Sequence, residues 1–129
     1  MSNLCALCIL AMLAPGSVLA EGAARDVDCK VARSCDAAGD CTMSDDHIRF
    51  RLEPENVGPD GIGTYIMSYG EISVGASKVA PPGPILWRES GEDLQSLIRD
   101  GPTGMIWHRF TPGEKPSLKV IFLTCEVIG

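Results

Sequence analysis

Histidine, aromatic and basic residues are all sparse in this chain of 129 residues, which has two His, two Trp, two Tyr and three Phe. With only His47 and His108 present, a zinc site or a histidine-based catalytic group would need further partners delivered by the fold. Each is read as an ordinary surface or hydrogen-bonded histidine. Lys and Arg number 11 against 17 Asp and Glu, a net charge of −6. That argues against nucleic acid, because phosphate binding needs basic clusters. It also argues against an anionic membrane surface, and it permits a basic protein partner. The P-loop and dinucleotide fingerprints are absent. So is the nucleophile elbow G-x-S-x-G, since "GEISVG" places Ser73 three residues after Gly70, one position off. Asp36, Asp40, Asp45 and Asp46 lie close in sequence but miss the spacing of a calcium loop. They read as a solvated acidic turn. No enzyme class, metal or cofactor is indicated.

Charge is missing altogether from the first twenty residues, "MSNLCALCILAMLAPGSVLA". An apolar run from Leu4 to Leu13 ends at Pro15-Gly16, and Val18-Leu19-Ala20 places small residues one and three before a cut. This is the layout of a secretory signal peptide, lacking only the usual basic residue near Met1. The run is too short to cross a bilayer, which takes ~20 residues. An uncleaved anchor is the competing reading, and a lipoprotein is disfavoured by bulky Leu7 before Cys8. Residues 1–20 are therefore expected to be a signal peptide, and residues 21–129 a single secreted domain. The mature chain is expected in the periplasm or outside the cell, without stable membrane insertion. Its length allows one thin core.

Four cysteines remain after the leader: Cys29, Cys35, Cys41 and Cys125. Zinc sites favour C-x₂₋₄-C knuckles, and here the gaps are five residues. No C-x-x-C redox pair survives either. An even count in a small secreted chain reads as a disulfide framework. "CKVARSC" and "CTMSDDHIRFRL" flank the turn-rich "DAAGD", which predicts a hairpin with Cys35 facing Cys41. Cys29–Cys125 is then the second pair.

Strand patterns fill the rest. "HIRFRL" alternates, with Ile48, Phe50 and Leu52 on one face and His47, Arg49 and Arg51 on the other. "EPENVGPDGIG", Glu53 to Gly63, reads as the longest loop. "TYIMSY" and "ISVGASKV" flank Gly70-Glu71, a Gly-first two-residue turn. "APPGP" breaks the chain before "ILWRE", with Ile85 and Trp87 on one face. "LQSLIR", "MIWHRF" and "SLKVIFLTCEV" follow. Only "GEDLQSLIRD" competes as a short helix. Eight short strands with hairpin connections predict an all-β, antiparallel up-and-down meander, disulfide-stapled and closed as an eight-stranded barrel. In such a barrel the first and last strands are antiparallel neighbours. Cys29 at the start and Cys125 at the end are then brought together, as they also could be in an open two-layer meander.

The head "CKVARSCDAAGDC" with the tail "FLTCEV" resembles a group of small secreted bacterial proteins of no assigned activity. The outline is similar to periplasmic lipocalin-like proteins and lysozyme-inhibitor barrels, whose motifs are absent. This second resemblance implies architecture only. The expected function is non-enzymatic binding in the cell envelope, with a basic enzyme as the partner it would inhibit, through loops at one barrel end. The alternative is a small-ligand carrier using the barrel interior. Trp87, Trp107 and His108 are the candidate ligand-lining residues, although two tryptophans more readily fill so narrow a core.

Overall fold

The computed structural model describes residues 23–128, so the expected leader lies outside them. Nine strands follow one another: β1 (Arg25–Asp36), β2 (Cys41–Met43), β3 (His47–Val57), β4 (Gly63–Tyr69), β5 (Ile72–Lys78), β6 (Ile85–Trp87), β7 (Leu94–Asp100), β8 (Gly104–Thr111) and β9 (Ser117–Val127). The described residues contain no helix. From β3 onward each strand pairs antiparallel with the next, and β9 returns to pair antiparallel with β1. The sheet is therefore a closed barrel of eight staves, one of them in two pieces.

That divided stave is a departure from the sequence reading, which runs residues 41–52 as one strand. Lys30 to Arg25 of β1 pair with β3, while Arg33 to Cys35 pair with β2. Between them, the Ser44 hydroxyl accepts the Asp46 N–H at 3.1 Å, and the Asp46 carbonyl accepts the Val31 N–H at 2.8 Å. Short polar side chains compete in this way with a regular ladder.

A bulge explains the outward turn of β1. Val31 lies opposite Leu123 and Arg33 opposite Phe122, leaving Ala32 as the extra residue. Unbroken alternation from Val27 through Cys29 and Val31 would aim Arg33 into the core. The bulge reverses the phase. Arg33 instead lies over the Phe122 ring on the outside, 4.3 Å from its centroid.

The expected loop from Glu53 to Gly63 is largely strand. β3 runs on to Val57, with a second bulge between Pro54 and Asn56, and the true loop is residues 58–62. Past Leu52 the strand has β4 as its neighbour but no β1, the edge setting in which proline is tolerated. Gly63 closes this loop with φ +146°, and a Cβ there would overlap the Asn56 carbonyl oxygen. Gly70 opens the β4–β5 turn with φ +55°, and Tyr69 faces Ile72 across it as the Gly-first turn requires.

Inward residues of all eight staves fill the barrel. Phe50 and Met67 are fully buried at its centre. Phe50, Tyr69, Trp87 and Trp107 form an aromatic cluster with centroids 5.3–6.4 Å apart, mostly tilted or edge-on. Such contacts add roughly 0.5–1.5 kcal/mol per pair beyond area burial. Cys29–Cys125 crosses the β1–β9 seam, where the two residues are direct register partners 4.1 Å apart at Cα. Cys35–Cys41 clasps the β1–β2 hairpin.

Candidate functional site

The up-and-down course gives the barrel two ends of different chemistry. One carries the last residues of β4, β6 and β8 and the first of β7. There Tyr69 donates to Glu89 at 2.5 Å and accepts the Trp87 indole N–H at 3.0 Å. Arg109 reaches the same Glu89 at 3.0 Å and stacks over Trp107, 4.6 Å from the ring centroid. Trp107 donates to Gln95 at 2.8 Å, and Gln95 donates to Asp93 at 3.0 Å. Asp93 also accepts the backbone N–H groups of Glu89 and Ser90. Among the described residues no buried side-chain nitrogen or oxygen lacks a partner.

Two groups here titrate away from their ordinary values. Burial, then the hydrogen bond to Glu89, pushes the Tyr69 phenol well above 10.0, so it stays a donor. Burial would raise the Asp93 carboxyl, but hydrogen bonds from Gln95, Ser90 and Glu89 outweigh it and hold the group below 3.8. At this end the polar groups are paired with one another, and they line a cleft of about 360 Å³.

The opposite end is also open, and its lining is more apolar. It carries the start of β1 and β6 and the end of β5 and β7. A cavity of about 180 Å³ opens above Phe50, walled by Val27, Leu52, Ile85, Leu97 and Met105. The loop Pro81-Pro82-Gly83 forms its lip. A second cleft of about 340 Å³ adjoins it, sharing Arg25, Leu52, Lys78 and Ile85. Small-ligand pockets run to roughly 300–1,000 Å³; the adjoining cleft reaches that class by itself, and the recess over Phe50 is smaller.

The charged residues lining the smaller cavity are Arg25, Lys78 and Arg99. All three sit in the inward phase of their strands. Lys78 follows Ile72, Val74 and Ala76; Arg99 follows Gln95 and Leu97; Arg25 precedes Val27 and Cys29. Each faces an apolar wall residue in register: Arg25 opposite Leu52, Lys78 opposite Ile85, Arg99 opposite Met105. None of the three forms an ion pair among the described residues. Asp60, in the adjoining cleft, is engaged locally, where its carboxylate accepts the Ile62 N–H at 3.0 Å.

Of the residues singled out from sequence, Trp87 and Trp107 lie together in the core, 3% and 4% exposed. His108 is not brought to them. It sits on the outer face of β8, half-buried, with Nδ1 3.1 Å from the Ser96 hydroxyl. The four cysteines form Cys29–Cys125 and Cys35–Cys41, the expected pairs. In the acidic turn, Asp36 accepts the N–H groups of Ala38 and Asp40, and Asp45 pairs with Lys30 at 3.3 Å. Among the described residues no group of three or more His, Cys, Asp or Glu is placed to hold a metal ion, and no helix is long and apolar enough to cross a membrane.

Arg25, Lys78 and Arg99 escape the sequence reading. Their signal is a cation continuing the apolar phase of an alternating strand at its end, as in "ISVGASK". No family model, curated protein or solved structure matches the chain. The geometry itself offers an apolar recess with polar groups at its rim, the form of a binding site.

Proposed function

We propose that this is an exported binding protein that takes a small ligand into the more apolar end of its barrel and performs no chemistry on it. One observation carries the reading: the apolar recess over Phe50, walled by side chains of five strands and left open to water. Covering apolar surface gains roughly 25 cal/mol per Å², so a ligand with an apolar part is favoured there. The two disulfides are compatible with an oxidising compartment, and this supports a periplasmic or extracellular site of action. The test uses the full chain, exported so that its cysteines oxidise, titrated with octanol and followed by amide and methyl chemical shifts. Shifts should concentrate on Val27, Leu97 and Met105. Ile85→Trp, which fills the recess from a half-buried position, should abolish them while the melting transition persists. If no alkyl ligand of any charge perturbs these residues in the folded protein, the reading fails.

A second reading rests on the acidic turn at the other end, where Asp36, Asp40, Asp45 and Asp46 are exposed together. It supports a basic protein partner, such as a wall-active enzyme that the domain inhibits. Association with purified basic muramidases should slow as salt shortens the Debye length from ~10 Å at 0.1 M to ~3 Å at 1 M. Binding unaffected by salt and by Asp45→Asn with Asp46→Asn would remove this reading.

A further inference from the structure

We infer that the more apolar end of the barrel selects amphiphiles with an anionic head, the apolar part entering the recess over Phe50 and the head held by Arg25, Lys78 and Arg99. The inference rests on the small-ligand reading above and names the class of ligand. Its ground is charge placement. A chain of net −6 would be expected to line a random cleft with acids. Here the charged lining of the recess is wholly cationic.

All three cations line the same recess at this end of the barrel. Antiparallel partners stand ~4.5–5.5 Å apart at Cβ, so each cation is beside the wall residue it faces: Leu52, Ile85 or Met105. Arg25 and Arg99 are exposed and Lys78 is half-buried, and long cationic side chains at a boundary with water cover apolar surface with their stems and keep their heads in water. A ligand seated below them meets apolar surface first and charge at the rim. An alkyl carboxylate, phosphate or sulfate fits that order, and an alkylammonium is opposed by it.

The two ends differ in how their inward-phase cations are paired. Arg109 is also in an inward phase, but it is paired with Glu89 at 3.0 Å. Arg25, Lys78 and Arg99 have no such partner among the described residues. Gathering three like charges with no ion pair among the described residues is unfavourable, and an anionic head relieves it. Charge-assisted hydrogen bonds to that head are the stronger kind.

The experiment compares matched ligands with one chain and four heads: octanoate, octyl phosphate, octanol and octylammonium. The exported full chain is titrated with each by calorimetry at low and high salt. Octanoate or octyl phosphate should bind about tenfold more tightly than octanol at low salt, a difference of ~1.4 kcal/mol, and lose most of that advantage at high salt. Octylammonium should bind most weakly. The ratio of octanoate to octyl phosphate separates a carboxylate source from a phosphate one. Arg25→Gln, Lys78→Gln and Arg99→Gln should each weaken the anions about three- to tenfold and leave octanol unchanged, with melting curves reporting the fold. Equal binding of octanol and octanoate, insensitive to salt and to these variants, overturns the head-group assignment while leaving the recess a ligand site. Binding of none of the four to folded protein overturns both.

Discussion

Asp93 is the one buried carboxylate among the described residues, only 8% exposed, and its environment decides its charge. Loss of water alone would favour the neutral acid. Three donors converge on it instead, the backbone N–H groups of Glu89 and Ser90 and the Gln95 side-chain amide, at 2.7–3.0 Å. They favour the ionised form and set its pKa below the ordinary 3.8. A depressed folded pKa stabilises the barrel above the ordinary carboxylate range, and that stabilisation is lost as pH falls through the folded value. Asp93→Asn should therefore cost about 1.5–3 kcal/mol at neutral pH, the scale of a hydrogen bond to a charged group. The cost should shrink as pH drops below ~3.9, where wild-type Asp begins to be protonated in the unfolded chain. Urea unfolding at a series of pH values, followed by tryptophan fluorescence, measures the difference between the two proteins. A difference constant from neutral pH to the acid limit would show that the Asp93 charge has no part in it.

At the scale of elements, alternation and turn chemistry made most of the barrel legible. The alternation of "HIRFRL" and the Gly70-Glu71 turn appear as read, although the strand that holds "HIRFRL" starts and ends later than read. Closure was legible in part: Cys29 and Cys125 fit a barrel seam and an open two-layer meander alike, and the β1–β9 pairing decides for the barrel. The failures have a common physical source in irregular pairing. Pro54 and the glycines after it read as a loop, yet a strand with a neighbour on one side tolerates both a proline and a bulge. Ala32 has no residue-level mark of a bulge. Its extra position is fixed by the partner strand, which holds Leu123 inward and Phe122 outward. The same limit hid the candidate site. Lys78 and Arg99 follow the inward phase, but only the shared end of the barrel brings them to Arg25 around one recess. From sequence the indoles read as core fillers first and ligand lining second, and they are core. Here their N–H groups find Tyr69 and Gln95 inside the core.

Across the whole molecule, the two disulfides differ in what they constrain. Cys29–Cys125 joins residues 96 apart across the seam that closes the barrel. Cys35–Cys41 joins residues 6 apart within one hairpin. On the chain-entropy account, a closed loop of ~100 residues stabilises by about 4.7 kcal/mol and one of six or seven by roughly 2, less any native strain. Cys29→Ala with Cys125→Ala should therefore destabilise the protein more than Cys35→Ala with Cys41→Ala. Cys29 and Cys125 are both buried, so lost packing adds to the first figure. The denaturant slope separates the two contributions. Releasing the long bridge lets the unfolded chain expand and expose more surface, which raises m. Lost packing alone lowers the midpoint and leaves m unchanged. Urea titrations of the oxidised protein and both double variants should thus show a lower midpoint and a steeper slope for the seam variant, and a smaller shift with the parent slope for the hairpin variant. An unchanged m in the seam variant would mean that its bridge acts through the folded core and not through the unfolded chain.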